Sequence, residues 1–173
     1  MRQSFRLAVG AFLLLGPLAT RAQEPPFDWR QRANVPVWAE RLFREQKFRT
    51  RYTMGFHLNP FYLRGDFNGD GPNDVALLVR ALDTKRIGIA IFHAGLNQVF
   101  IVGGDEDNLP EGVDLRRMDA WTVFTEREVP QGGSDEAPPR IRGEAIQVQR
   151  TGMPSGLIYW NGSGYRWYHL LGE

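Results

Sequence analysis

The sequence predicts a mainly β fold with a minor helical part (α+β): an antiparallel meander sheet of about seven or eight strands with one N-terminal helix packed on it. Three observations predict it. From Arg51 onward, short runs rich in β-branched and aromatic residues recur between clusters of Gly, Pro, Asn and Asp. Two of these runs, VALLVR (75–80) and IGIAIF (87–92), are nearly all apolar and stand one polar connection apart, as central strands buried on both faces would. Asn161-Gly162, between IYW and YRWYHLL, marks a hairpin, because both residues tolerate positive φ. Successive hairpins make neighbouring strands antiparallel; parallel strands would need long crossovers.

Taken in chain order, MRQSFRLAVGAFLLLGPLATRA (1–22) has the layout of a secretory signal peptide. Arg2 and Arg6 precede a short apolar run, Pro17 breaks it, and small residues precede Gln23. The run is too short to cross a bilayer, so no transmembrane segment is expected after cleavage. Residues 23–34, QEPPFDWRQRAN, read as a flexible leading arm, and 35–173 as a single β-rich domain. A helix is expected from a cap at Asn34 to about Gln46, with Pro36 in its first turn. Its apolar stripe would use Val35, Trp38, Leu42 and Phe43, with Glu40, Arg41 and Arg44 on the polar face. Strands are expected at 51–57, 75–80, 87–92, 98–102, 121–125, 144–150, 156–160 and 165–171. AIQVQ (145–149) alternates, with Ile146 and Val148 inward. GGDEDNLPEGVD (103–114) and REVPQGGSDEAPPR (127–140) read as surface loops.

Charge and composition exclude several classes. Without residues 1–22 the chain keeps 18 basic and 20 acidic residues, a net charge of −2, so the clustered positive surface of a nucleic-acid binder is not expected. The chain has no cysteine, which removes thiol nucleophiles and thiolate metal sites and leaves an exported domain to be held by its core, by metal, or by both. A periplasmic or secreted location follows from the leader.

The most informative segment is DFNGDGPND (66–74), immediately before the apolar 75–80 run. Counting from Asp66, side-chain oxygens fall at positions 1 (Asp66), 3 (Asn68), 5 (Asp70) and 9 (Asp74), with Gly71 at the sharp-turn position. Pro72, at position 7, still offers its carbonyl. An all-oxygen set suits a hard cation such as Ca²⁺. Position 12 is Leu77 where an EF-hand needs a bidentate glutamate, so the loop is not an EF-hand. Carboxylates gathered to about 4 Å repel by roughly 4 kcal/mol per pair at an effective dielectric of 20, which a divalent ion would relieve. The alternative is a solvated Asx turn with outward aspartates.

GDFNGDGPNDVALL resembles the calcium loop of FG-GAP and VCBS-type repeats, in which such a loop joins two strands of one blade. The resemblance implies calcium ligation by Asp66, Asn68, Asp70 and Asp74 and by the Pro72 carbonyl, with Gly65, Gly69 and Gly71 as turn glycines. It covers about fifteen residues, or about thirty with the next hairpin, and the chain carries a single copy, so a closed propeller is not implied. The ending LIYWNGSGYRWYHLLGE resembles that of small exported bacterial proteins that pair one such loop with a Tyr-Trp hairpin and have no established activity.

Other groups are weaker. Tyr159, Trp160, Tyr165, Trp167 and Tyr168 cluster on the last hairpin and would either pair within the core or form a platform for glycan, peptide or protein, with Trp160, Tyr165 and Trp167 as its candidates. Arg64-Gly65-Asp66 spells an adhesion tripeptide, but Asp66 is better explained as a metal ligand. His57, His93 and His169 are isolated, and no serine lies in G-x-S-x-G. Asp105, Glu106 and Asp107 read as a solvated acidic turn. The expectation is thus an exported, non-enzymatic protein with one structural calcium loop. A binding module is the first alternative, and a hydrolase using the metal or a carboxylate pair is the second.

Overall fold

A computed structural model describes residues 35–46, 48–133 and 136–171. The expected signal peptide, leading arm and Asn34 cap lie outside the described residues. Among those residues the fold is mainly β, with one N-terminal helix, α1 (Val37–Glu45), and nine strands. These are β1 (Tyr52–Met54), β2 (Tyr62–Gly65), β3 (Asp74–Ala81), β4 (Ile87–His93), β5 (Gln98–Gly103), β6 (Ala120–Phe124), β7 (Ala145–Arg150), β8 (Met153–Trp160) and β9 (Tyr165–His169). All pairings are antiparallel.

The strands form two sheets rather than one. The first runs β1-β3-β4-β5, with β2 also paired to β3; the second runs β6-β7-β8-β9. β1 pairs with the end of β3 (Met54 opposite Val79) and β2 with its start (Leu63 opposite Ala76), so together they make one interrupted edge. The physical reason for two sheets lies in β3 and β4, whose residues are buried on both faces apart from Arg80. Alternation sends Ala76, Leu78, Ile87, Ile89 and Ile91 to one face, where Trp121, Ile146, Val148, Ile158 and Trp167 of the second sheet meet them. Val75, Leu77, Val79, Ala90 and Phe92 point the other way, onto Ala39, Leu42 and Phe43 of α1. The outer face of the second sheet, with Ala145, Leu157 and Tyr168, is covered by Val129 of the 127–140 loop and by Ile141 just after it. Each fully buried aliphatic side chain contributes roughly 1.5–3 kcal/mol.

Several local expectations need correction. Pro36 is the residue before the first helical turn rather than within it. Glu40 is buried instead of solvent-facing, with Arg44 reaching it at 3.3 Å one turn later. Trp38 is only partly buried against the same core. β2 was not expected at all, because four residues ending in Arg-Gly carry too little periodicity. The 161–164 connection is a four-residue loop, not a two-residue turn. Only Gly162 takes positive φ there, while Asn161 Oδ1 accepts from Ser163 N and Gly164 N at 3.0 Å. The 103–114 segment is also tied down. Asn108 Oδ1 accepts from Gly103 N at 2.8 Å, Arg51 meets Glu106 at 2.8 Å, and Thr84 donates to Asp105.

Candidate functional site

The acidic segment is the connection between β2 and β3, whose last register pair is Gly65 opposite Asp74. The chain folds there because Gly69 (φ 76°) and Gly71 (φ 101°) adopt left-handed backbone that other residues disfavour. The Asp66 carboxylate is turned into the loop. Its Oδ1 accepts from Gly69 N (2.8 Å) and Asp70 N (3.0 Å), and its Oδ2 from Gly71 N (3.0 Å). Asn68 Oδ1 accepts from Asp70 N at 3.0 Å, and its amide donates to Asp70 Oδ2 at 2.9 Å. Pro72 is exposed at the rim.

Asp74 is fully buried. Its Oδ2 accepts from Phe67 N at 3.1 Å and its Oδ1 from Ala94 N at 2.8 Å, so it joins the start of β3 to the end of β4. Burial raises its pKa to about 6, and the negative charges of Asp70 and Asp66 push the same way against the two backbone amides. Among the described residues, no lysine, arginine or histidine forms an ion pair with Asp66, Asp70 or Asp74. Nor do three acidic or histidine side chains stand together as a group able to hold a metal.

The loop is clamped to the second sheet by a segment that sequence reading did not nominate. Asp66 N donates to Glu144 Oε2 at 2.8 Å, and Glu144 N donates to the Asp66 carbonyl at 2.7 Å. Gly143 permits the approach, since a Cβ there would run into the Asp66 carbonyl and the Gly69 backbone. Phe67, buried in the inter-sheet core, anchors the loop from below.

The aromatic hairpin arrives at this same end of the molecule. His93 Nε2 and Tyr165 OH lie 2.7 Å apart and link β4 to β9 across the two sheets. Phe100 and Trp160 surround them, with ring centroids 4.8 Å and 5.2 Å from His93 and 5.0 Å from each other. Burial lowers the His93 pKa, opposed by Asp70 and Asp66. Burial raises that of Tyr165, assisted by Asp74, Asp66 and Asp70. The structure therefore places Tyr165 within electrostatic reach of all three loop carboxylates. Tyr165 and Trp167 are themselves buried, and Trp160 half-buried. Trp167 packs over Gly156 and donates to His169 Nδ1 at 3.2 Å. These three rings are core and rim, not an open stacking platform. The adhesion tripeptide is likewise not offered outward, with Gly65 buried in β2 and Asp66 holding loop amides.

Fold and site together define a two-sheet antiparallel β domain, helix-covered on one face, with an acidic hairpin loop clamped between the sheets. No family model, curated protein or solved structure matches the chain.

Proposed function

We propose that this is an exported, non-enzymatic protein whose 66–74 loop takes one Ca²⁺ ion, and that the ion has a structural role. The observation that carries the reading is electrostatic: Asp66 and Asp70 act on the buried Asp74 as like charges, with no basic side chain paired to any of the three among the described residues. A divalent cation would relieve that repulsion. The donor set is oxygen only, which suits a hard ion. Because the carboxylates do not stand ready as a three-acid group, Asn68 Oδ1 and the Pro72 carbonyl would complete the set, and the Asn68–Asp70 contact would open to admit the ion. The resemblance of GDFNGDGPND to FG-GAP and VCBS-type loops supports the same ligands, and the loop's place between two paired strands fits it. The ion would tie β2 and β3 to the Gly143–Glu144 clamp and thereby to the second sheet.

Calorimetric titration of the chain with CaCl₂ tests this. A single site with Kd of about 10⁻⁴–10⁻³ M is expected. The double variant D66N/D70N should show no binding heat. Equal binding by that variant would place the ion elsewhere.

A further inference from the structure

The covering loop leaves part of the second sheet's outer face open. A cavity of about 810 Å³ lies there, within the roughly 300–1,000 Å³ of small-molecule sites. Alternation along β7 builds its floor. Val148 and Arg150 point between the sheets, the Arg150 guanidinium carbon standing 5.7 Å from the Trp167 ring centroid. Gln147 and Gln149 therefore leave by the outer face, roughly 7 Å apart, and line the cavity. Ala120 of β6 stands opposite Gln149, and the Ser155 carbonyl of β8 accepts from Leu170 N at 2.9 Å. Ala120, Gln149, Ser155 and Leu170 thus make one row across the sheet. Tyr168 fixes the wall: its hydroxyl accepts from Gly132 N at 2.7 Å and donates to the Pro130 carbonyl at 3.3 Å, which sets Pro130 and Gln131 at the edge of the floor.

The chemistry of the lining decides what it takes. Arg150 is the one base among the described lining residues, and its guanidinium is turned away, with Nη2 on the Pro154 carbonyl at 2.8 Å. No cation is offered to a phosphate or carboxylate, and the one acid there, Asp119, would repel either. The amides of Gln147 and Gln149 and the hydroxyl of Ser155 are neutral and both donate and accept, as sugar hydroxyls do. Leu170 and Pro130 beside them supply apolar surface for the C–H face of a sugar ring. An extended peptide is held through main-chain bonds to a free strand edge, but β7 and β8, which form the floor, are each paired on both sides. We propose that this cavity binds a neutral oligosaccharide, its hydroxyls on Gln147, Gln149 and Ser155 and one ring face against Leu170.

Calorimetric titration of the full chain, in chelator so that the acidic loop contributes nothing, tests the site. The probes are maltotriose and cellotriose, two neutral trisaccharides of different shape, with trigalacturonate and tetraglycine for comparison. At least one neutral trisaccharide should bind, at least about tenfold more tightly than the acidic sugar or the peptide. Q147A/Q149A, altered outside the core, should weaken it about tenfold with unchanged circular dichroism. Should that variant fail to fold, S155A should still weaken binding about threefold. No heat up to about 10 mM of either neutral trisaccharide, trigalacturonate or tetraglycine binding as tightly, or unchanged affinity in the folded variant would each overturn the proposal.

Discussion

Asp74 carries more of the structure than its place in a ligand pattern suggests. The sequence pattern marks it only as the last side-chain oxygen of the 66–74 acidic run. Its inward position, accepting amides of Phe67 and Ala94, was not legible there, because Ala94 lies 20 residues away, just past the end of β4. Its titration gives a signed prediction. The folded chain protonates Asp74 at about 6, the unfolded chain near the ordinary 3.8, so between those values the folded chain holds more protons. The resulting stability is complete below about 3.8 and lost as pH rises through about 6. Its upper bound is about 3 kcal/mol. His93 and His57, whose pKa values burial lowers, act oppositely and add stability as pH rises towards 6.5. Subtracting the D74N profile from wild type, by urea unfolding in chelator, should isolate a term that falls by about 1–3 kcal/mol from pH 4 to 7. Parallel profiles would remove Asp74 from the account. Tyr165→Phe tests the neighbouring link: it leaves His93 Nε2 buried without its 2.7 Å partner and should cost about 1–3 kcal/mol in urea. A loss within 0.5 kcal/mol, roughly the level of a neutral surface change, would contradict that role.

At the scale of elements, local chemistry was readable and partner choice was not. Apolar runs and turn residues located eight of the nine strands because those signals sit within a few residues of each strand. β2 escaped because it owes its strand geometry to β3, not to its own four residues. The same limit applied to Glu144, whose bond to Asp66 spans 78 residues and whose local sequence, RGEA, announces nothing. Close packing between elements makes a further prediction at Gly156, where β8 passes under Trp167. A methyl group there would penetrate the indole ring, while the backbone itself needs no left-handed φ. Gly156→Ala should therefore destabilise by about 1–3 kcal/mol and shift tryptophan fluorescence. Wild-type stability with an unshifted spectrum would show that the second sheet packs differently.

The whole molecule is a stack of helix, sheet, sheet and covering loop: the expected mainly β fold with one N-terminal helix, its antiparallel strands divided between two sheets. A strand such as VALLVR, apolar on both faces, demands two covers, and the sequence supplies only one long amphipathic helix among the described residues. The second cover is the other sheet. The acidic loop sits where those layers meet, held below by Phe67 and laterally by Gly143 and Glu144. An ion bound there would act on the union of the sheets as well as on the loop. At tenfold excess over Kd, a ligand that binds only the folded state adds about 1.4 kcal/mol. For a domain of this size that shifts the unfolding midpoint by roughly 3–6 °C. Scanning calorimetry in 10 mM CaCl₂ against EGTA, with D66N/D70N alongside, is the most direct measurement. The account predicts a calcium-dependent rise of that order in wild type and none in the variant. An identical wild-type midpoint in calcium and chelator would contradict it.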